Sequence, residues 1–505
     1  MLAVLAVAAP LYFVWTWTDG LGDIGGDATD YLLMAARFSA SAGETDAARL
    51  SAAFSRFPPL YPLILAWCGA AGPDLHRAHA MTTAFLLLAL ASLYAWFLRQ
   101  RLAPPPAALL VLAVAALPAT WLLGLSLNSE FPYLLWSLLA LLFLARHESD
   151  RRNADLYAAA LFVAIAALTR TVGVALFLPL LLAALRAARR PGALAMILAA
   201  APVLAWHLLH RSREGYGAAL LTFYGSDPLQ MLRTRLPGQL QSVRDGFAQC
   251  LSSPALPWPL ADALGLLCAA GAAWRAARLR PDAVYLAAYL AVLLVWPYAN
   301  VAQRLVWAVF PLLLAQPLLA LAQRRGPAQP LRMQAWAGAA IGAVVLLLAQ
   351  PAMMQAVTRY RAAADSSMPG ARGYEGWYAA EPAHAVHRVF SQMVIAQALR
   401  QIPDLVPAAD CVIAARTDLV NYFGLRQSVP PPVNSVPDPE FIQRVRASGC
   451  RYVFMYNAAD DRFPVPLHPF RRLTGHLRIL RYTDVPDPPA GEAGERVVCI
   501  LAQLD

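Results

Sequence analysis

Through the first 351 positions, long apolar blocks alternate with short joints rich in Arg, Pro and Gly. A helix rises about 1.5 Å per residue, so about 20 apolar residues cross the hydrocarbon of a bilayer. Blocks of this kind fall near 1–18, 76–98, 104–124, 129–146, 154–169, 171–186, 191–210, 256–274, 282–299, 304–323 and 333–351. The stretch 154–186 is the least divided, with Thr169-Arg170-Thr171 as its one interruption. The pattern predicts an α-helical polytopic membrane protein with about eleven spans. The first block is apolar from Met1, with no basic stretch and no small-residue cleavage site before the acidic segment. That predicts an uncleaved first span rather than a removable signal peptide.

The pattern changes in three places. In segment 19–75, Asp27, Tyr31, Met34 and Phe38 recur at helical spacing after Gly25-Gly26, which predicts a short amphipathic helix lying at the membrane interface. Arg56-Phe57-Pro58-Pro59-Leu60-Tyr61-Pro62 then breaks the chain before Leu63–Ala71, an apolar run too short to span that reads as a second interfacial or re-entrant helix. A polar connector covers 352–373, and from 374 to 505 the apolar character drops. There, helical patterns at 387–401, 418–423 and 439–447 alternate with strand patterns at 411–415, 451–456, 477–482 and 496–502, predicting a small α/β domain. The chain therefore divides into a membrane module (1–351), a connector (352–373) and an α/β domain (374–505).

Composition agrees with lipid as the solvent. Charged residues make up 14% of the chain and mean hydropathy is +0.48, whereas soluble domains carry about a quarter charged residues. The net charge is +10 with no lysine anywhere. The arginines punctuate apolar runs instead of forming one patch, which argues against nucleic acid. Arg99 and Arg101, Arg146, Arg151 and Arg152, Arg186, Arg189 and Arg190, Arg275, Arg278 and Arg280, and Arg324, Arg325 and Arg332 fall in alternate short joints. The other joints hold only Arg170 and Arg304. By the positive-inside rule the first side is cytoplasmic, and an odd number of spans puts the C-terminal domain outside. Cys411, Cys450 and Cys499 fall in that domain. In an oxidising space a disulfide among them and buried unpaired thiols are both open.

Candidate chemistry sits on the outer rim. Asp27 and Asp30 share a helix face with Tyr31; either carboxylate could take a proton from an acceptor, and a plain helix cap is the alternative for Asp27. Glu130 follows Ser129 at the start of a span, where a water-facing helix start is the alternative. Arg170 and Arg304 break the charge rule; each could grip phosphate oxygens bidentately, or snorkel to headgroups. His207 and His210 lie three apart with no carboxylate pair nearby to complete a metal site, so they read as interfacial polar residues, and a divalent metal stays open without a motif to support it.

Taken in order, these features resemble a known family. They are Asp27-x-x-x-Tyr31, Arg56–Pro62, Ser129-Glu130, Leu168-Thr-Arg-x-x-Gly173, and Trp296-Pro297 followed by Arg304 and Pro311. Over roughly 1–320 the chain looks like the GT-C superfamily of polyprenyl-phosphate-sugar-dependent glycosyltransferases, near the bacterial aminoarabinose transferase and protein mannosyltransferase branch (glycosyltransferase family 39-like). Arg416-Thr-Asp-Leu-Val-Asn-Tyr422 and Gly449-Cys-Arg-Tyr452 are similar to the outer α/β domain of such enzymes. The resemblance implies Asp27 as catalytic carboxylate, with Asp30 second, and Glu130 at the second acidic position. It implies Tyr31, Arg56, Tyr61, Arg170 and Arg304 as substrate-binding residues, the arginines at 170 and 304 for the donor phosphate. Ala28 stands where many relatives carry an acidic residue, which leaves the role of Asp30 open. The implied partners are a polyprenyl-phosphate-linked sugar donor, membrane lipids and an envelope acceptor. The implied location is the bacterial inner membrane with the C-terminal domain periplasmic. A lipid or saccharide transporter and a non-catalytic envelope scaffold are the rival readings; no matching halves of the chain favour the transporter.

Overall fold

The computed structural model describes residues 2–21, 27–39, 57–72, 74–209, 228–251, 258–296, 303–324, 331–365, 392–432, 436–456, 468–484 and 498–505. Arg56, Pro297 and His210, singled out above, lie outside the described residues. The chain forms two units. One comprises Met1–Trp17, Ser55–Tyr61 and His79–Thr358; the other comprises Thr18–Phe54, Pro62–Ala78 and Arg359–Asp505.

In chain order the first helices are α1 (Leu2–Thr16), α2 (Ala28–Phe38), α3 (Leu60–Trp67), α4 (His76–Arg99), α5 (Pro104–Ala116), α6 (Pro118–Leu125), α7 (Glu130–Asp150) and α8 (Asn153–Thr169). A 3₁₀ turn (Thr171–Leu176) leads into α9 (Phe177–Arg186), followed by α10 (Arg189–Leu209), α11 (Pro228–Leu251), α12 (Trp258–Ala276) and α13 (Pro281–Leu294). Then come α14 (Gln303–Trp307), α15 (Phe310–Arg324) and α16 (Leu331–Asp365).

By length and composition, α4 and α10 can each cross a membrane alone. The pairs α5–α6 and α12–α13 qualify together but bend by 53° and 118°. The first bend falls at Leu117-Pro118, where proline at a helix start cannot continue the helix before it. Other apolar helices, Asn153–Thr169 and Phe310–Gln323 among them, run 10–17 residues. The architecture is thus helical and apolar, with two to four spans identified by length and composition. Helix α11 occupies a segment for which the hydropathy pattern predicts no element.

The arginines counted as cytoplasmic joints are not all solvated. Arg275 is fully buried and pairs with Asp282 at 2.7 Å, and the Gln316 side-chain amide donates to the same carboxylate at 3.0 Å. A buried guanidinium needs such partners, because an unpaired one costs several kcal/mol.

In the second unit the C-terminal region is a three-layer α/β fold. Strands β1 (Val412–Ala414), β2 (Ser428–Val429), β3 (Tyr452–Tyr456), β4 (Leu477–Asp484) and β5 (Val498–Leu504) form one sheet in the order β2-β1-β3-β5-β4. The β1–β2 and β1–β3 pairs are parallel, with Val412 opposite Ser428 and Tyr452; β3–β5 and β4–β5 are antiparallel. Side chains alternate between faces with period two. Val412, Ala414, Tyr452, Phe454 and Tyr456 pack on one side with Leu399, Ile402 and Leu419. Ile413, Val453 and Met455 pack on the other with Phe441, Val445 and Phe470. Being covered on both faces, β3 reads Tyr-Val-Phe-Met-Tyr with no polar alternation. The short strand β2 is an addition to the four predicted strands. The helical patterns at 418–423 and 439–447 correspond to Thr417–Phe423 and Asp438–Ala447; of the pattern at 387–401, residues 392–400 are described and helical. A disulfide joins Cys411 to Cys450 at the starts of β1 and β3, while Cys499 is buried and unpaired.

Candidate active site

The candidate residues fall into two groups, one on each unit. In the first unit Glu130 opens α7 and is 1% exposed, so it is not the water-facing helix start that was the alternative. Its Oε1 lies 2.6 Å from Arg170 Nη1 and 3.8 Å from Arg304 Nε. Arg170 also donates to Ser129 Oγ at 3.3 Å. Arg170, 10% exposed, turns inward to this carboxylate, while Arg304, 27% exposed, reaches the same oxygen at ion-pair distance. Two guanidiniums thus gather at one carboxylate, and their planar N–H forks are the kind of donor that can meet phosphate oxygens bidentately.

Local structure explains how each group is held. Helix α8 stops at Thr169, and Arg170 has extended backbone (φ −145°, ψ 137°) that redirects its side chain. The chain then tightens into the 3₁₀ turn, with the Gly173 N–H donating to the Arg170 carbonyl at 2.8 Å. A Cβ on Gly173 would sit 2.7 Å from the Ala166 carbonyl and the Ala167 Cα, so only glycine lets this turn fold back on α8. This accounts for the glycine of the Leu-Thr-Arg-x-x-Gly motif. Arg304 rides on the five-residue α14. Tyr289 Oη donates to the Leu305 carbonyl at 2.7 Å, and Trp307 Nε1 donates to Thr120 Oγ1 at 2.9 Å. Phe131, next to Glu130, packs edge-on against Trp307 at 5.0 Å. Tyr133 and Tyr285 share a hydroxyl–hydroxyl bond of 2.8 Å, and Tyr285 packs on Tyr289 at 5.8 Å. Sequence reasoning passes over these tyrosines. Their signal is there: Tyr285 and Tyr289 are four apart on one helix face inside an apolar span, where a phenol needs a partner.

Tyr61 belongs to this unit and is fully buried; its hydroxyl lies 3.3 Å from Thr82 Oγ1. Burial pushes its phenol well above the usual range; the Thr82 bond works against this, and the nearby Glu130 charge adds to it. The structure thus brings Tyr61, Glu130, Arg170 and Arg304 into one electrostatic neighbourhood.

The second group is carried by α2. The helix predicted from the spacing of Asp27, Tyr31, Met34 and Phe38 is present, with Asp27 preceding its first residue. It is not a one-sided amphipathic surface helix: Ala28 through Ala35 are all buried. Part of that cover is α17 (Thr417–Phe423), whose Asp418 Oδ2 accepts a 2.7 Å bond from Thr29 Oγ1. The backbone carbonyl of Asp27 accepts the Tyr31 N–H at 3.1 Å and so starts the helix. Its side chain, however, makes no capping bond. The capping alternative for the Asp27 carboxylate is therefore not realised. Asp27, Asp30 and Tyr31 are 7%, 4% and 3% exposed and lie on one helix face.

Among the described residues one donor set could meet a metal: Asp19, Asp74 and His76, with ligand atoms within 4.8 Å of one another. His76 Nδ1 is 3.0 Å from Asp19 Oδ1 and 2.9 Å from Asp74 Oδ1. Bonds from the His76 ring and backbone N–H hold the Asp74 carboxyl below its usual range. Asp74 thereby also caps α4, which explains its position without an ion.

No family model and no curated protein matches the chain by sequence. Among solved structures, the fold is similar to ArnT from Cupriavidus metallidurans in the apo state: TM-score 0.51, 15% identity, 99% of this chain and 97% of that one covered. ArnT from the same organism bound to undecaprenyl phosphate matches with TM-score 0.47 and 13% identity, again over 99% and 97% of the two chains. The likeness runs the whole length of both proteins and establishes an ArnT-like fold.

Proposed function

We propose that this chain is a membrane glycosyltransferase that moves a sugar from a polyprenyl-phosphate donor to an envelope acceptor, with inversion at the anomeric carbon. The observation that carries the reading is the Arg170–Glu130–Arg304 cluster, two guanidiniums gathered at one buried carboxylate, whose N–H forks suit a lipid-linked phosphate. The full-length likeness to the fold of ArnT, an aminoarabinose transferase, supports it. In this reading Asp27 accepts the proton of the acceptor nucleophile as its lone pair attacks the anomeric carbon. The bond from that carbon to the phosphate oxygen breaks, and its electron pair leaves with the phosphate. Arg170 and Arg304 stabilise the charge that develops there, while Glu130 sets their spacing. A phosphate leaves as a stable anion, so no second carboxylic acid is needed to protonate it, unlike the paired carboxylates of glycoside hydrolases.

The reading places the protein in the bacterial inner membrane with residues 374–505 on the periplasmic side. The arginine asymmetry supports that orientation, and the Cys411–Cys450 disulfide fits an oxidising space. The test is transfer of radiolabelled sugar from membrane lipid to an endogenous acceptor, with Asp27→Asn as the comparison. The reading expects transfer by the native chain and none by the variant. Full turnover by Asp27→Asn would remove Asp27 as the base, and no transfer by the native chain would favour a transporter or scaffold.

A further inference from the structure

The Arg-Thr-Asp run at 416–418, part of the C-terminal resemblance, is given no role by the mechanism above. Arg416 is 3% exposed. It grips Asp418 with two bonds, Nε to Oδ1 at 2.9 Å and Nη2 to Oδ2 at 2.6 Å. A bidentate pair fixes the carboxylate plane as well as its position. The same Asp418 Oδ2 receives the Thr29 hydroxyl at 2.7 Å across 389 residues of sequence. Thr29 is 1% exposed and stands between Asp27 and Asp30 in the first turn of α2.

A helix needs no such bond. The free N–H groups of a first turn are satisfied by a cap or by water, and a threonine hydroxyl usually bonds locally. Here the hydroxyl is committed to a distant carboxylate that is itself oriented by a buried arginine. The bond fixes the rotation and height of the α2 turn against α17, and so the placement of the turn that carries Asp27.

We infer that Arg416 and Asp418 are positioning residues for transfer, holding through Thr29 the turn that carries Asp27. This inference rests on the assignment of Asp27 as the base. The C-terminal domain then contributes to turnover by holding that turn in place. A misplacement of about 1 Å costs up to about 100-fold in rate, so loss of the bond should show mainly in kcat.

The experiment uses the full chain in native membranes and Thr29→Val, which keeps the side-chain shape and removes the donor. We expect kcat to fall about 10- to 100-fold, with the KM for the polyprenyl-phosphate sugar within about twofold because the phosphate is assigned to Arg170 and Arg304. Thr29→Ser, which restores the hydroxyl, should recover most of the rate, and Asp418→Asn should resemble Thr29→Val. Unchanged kcat in Thr29→Val, failure of Thr29→Ser to recover, or a loss confined to KM would each overturn the inference. Its failure is separable from failure of the functional reading. If Asp27→Asn is dead while Thr29→Val is normal, only the positioning role falls; if Asp27→Asn is active, the base assignment falls first.

Discussion

Removing the Glu130 charge with Glu130→Gln tests the centre of the site. Coulomb's law at an effective permittivity of about 20 gives about 6 kcal/mol of attraction at the 2.6 Å contact with Arg170 and about 4 kcal/mol at the 3.8 Å contact with Arg304. Desolvation of the three groups cancels much of this. Breaking a buried pair by deleting one partner costs about 3–5 kcal/mol in practice, chiefly because the remaining charge stays buried. Glu130→Gln takes the shared carboxylate from two guanidiniums at once, so it should reach that range. Arg170→Met should cost less, because Glu130 keeps Arg304. The double variant should therefore be more stable than the sum of the two losses, by about 2–3 kcal/mol of coupling. Unfolding in mixed micelles by dodecyl sulfate titration, followed by tryptophan fluorescence, reads these differences. Additive losses, or Arg170→Met costing as much as Glu130→Gln, would refute the shared-carboxylate arrangement. Transfer should also separate the variants. Arg170→Met should lose turnover by about 100-fold or more if its guanidinium stabilises the leaving phosphate.

Gly173→Ala puts a Cβ 2.7 Å from the α8 backbone, which cannot yield as a flexible side chain would. We expect about 1–3 kcal/mol of destabilisation with reduced transfer, read by retention of the monodisperse peak after heating; an unaltered melting profile would contradict the close approach. Cys411→Ser opens a link between residues 39 apart. The loop-closure relation gives about 4 kcal/mol for such a loop, and a polyethylene-glycol maleimide shift on non-reducing gels should detect one newly reactive thiol, at Cys450. Burial pushes the Cys499 thiol up to about 12 from an ordinary value of 9.0. Burial disfavours the charged form, so at pH 8 only about 1 in 10,000 molecules holds the reactive thiolate. Labelling of Cys499 should be negligible in the folded domain, rise as pH approaches 12, and become fast in denaturant; ready labelling at pH 8 would place the side chain at the surface.

Much of this protein was legible in sequence because its determinants are local and periodic. Apolar runs set helices, and the break at Thr169-Arg170-Thr171 lies between α8 and the 3₁₀ turn. The unbroken apolar run Tyr452–Tyr456 and the helical spacing from Asp27 to Phe38 mark β3 and α2. The sequence also singled out Glu130, Arg170 and Arg304, since isolated charges among apolar residues are costly wherever they sit. Tertiary structure decided what those charges do. A lone arginine snorkelling and a lone arginine gripping a buried carboxylate look alike in one dimension. The difference is a 2.6 Å contact between residues 40 positions apart. The same holds for Asp27, whose position before a helix suggests a cap but whose side chain forms none. It holds for Thr29, whose partner Asp418 lies 389 residues away. Hydropathy and helix periodicity are properties of neighbours along the chain and can be summed from sequence. Ion pairing and hydrogen bonding in low dielectric depend on ångström separations between distant segments, and only the packed chain sets those.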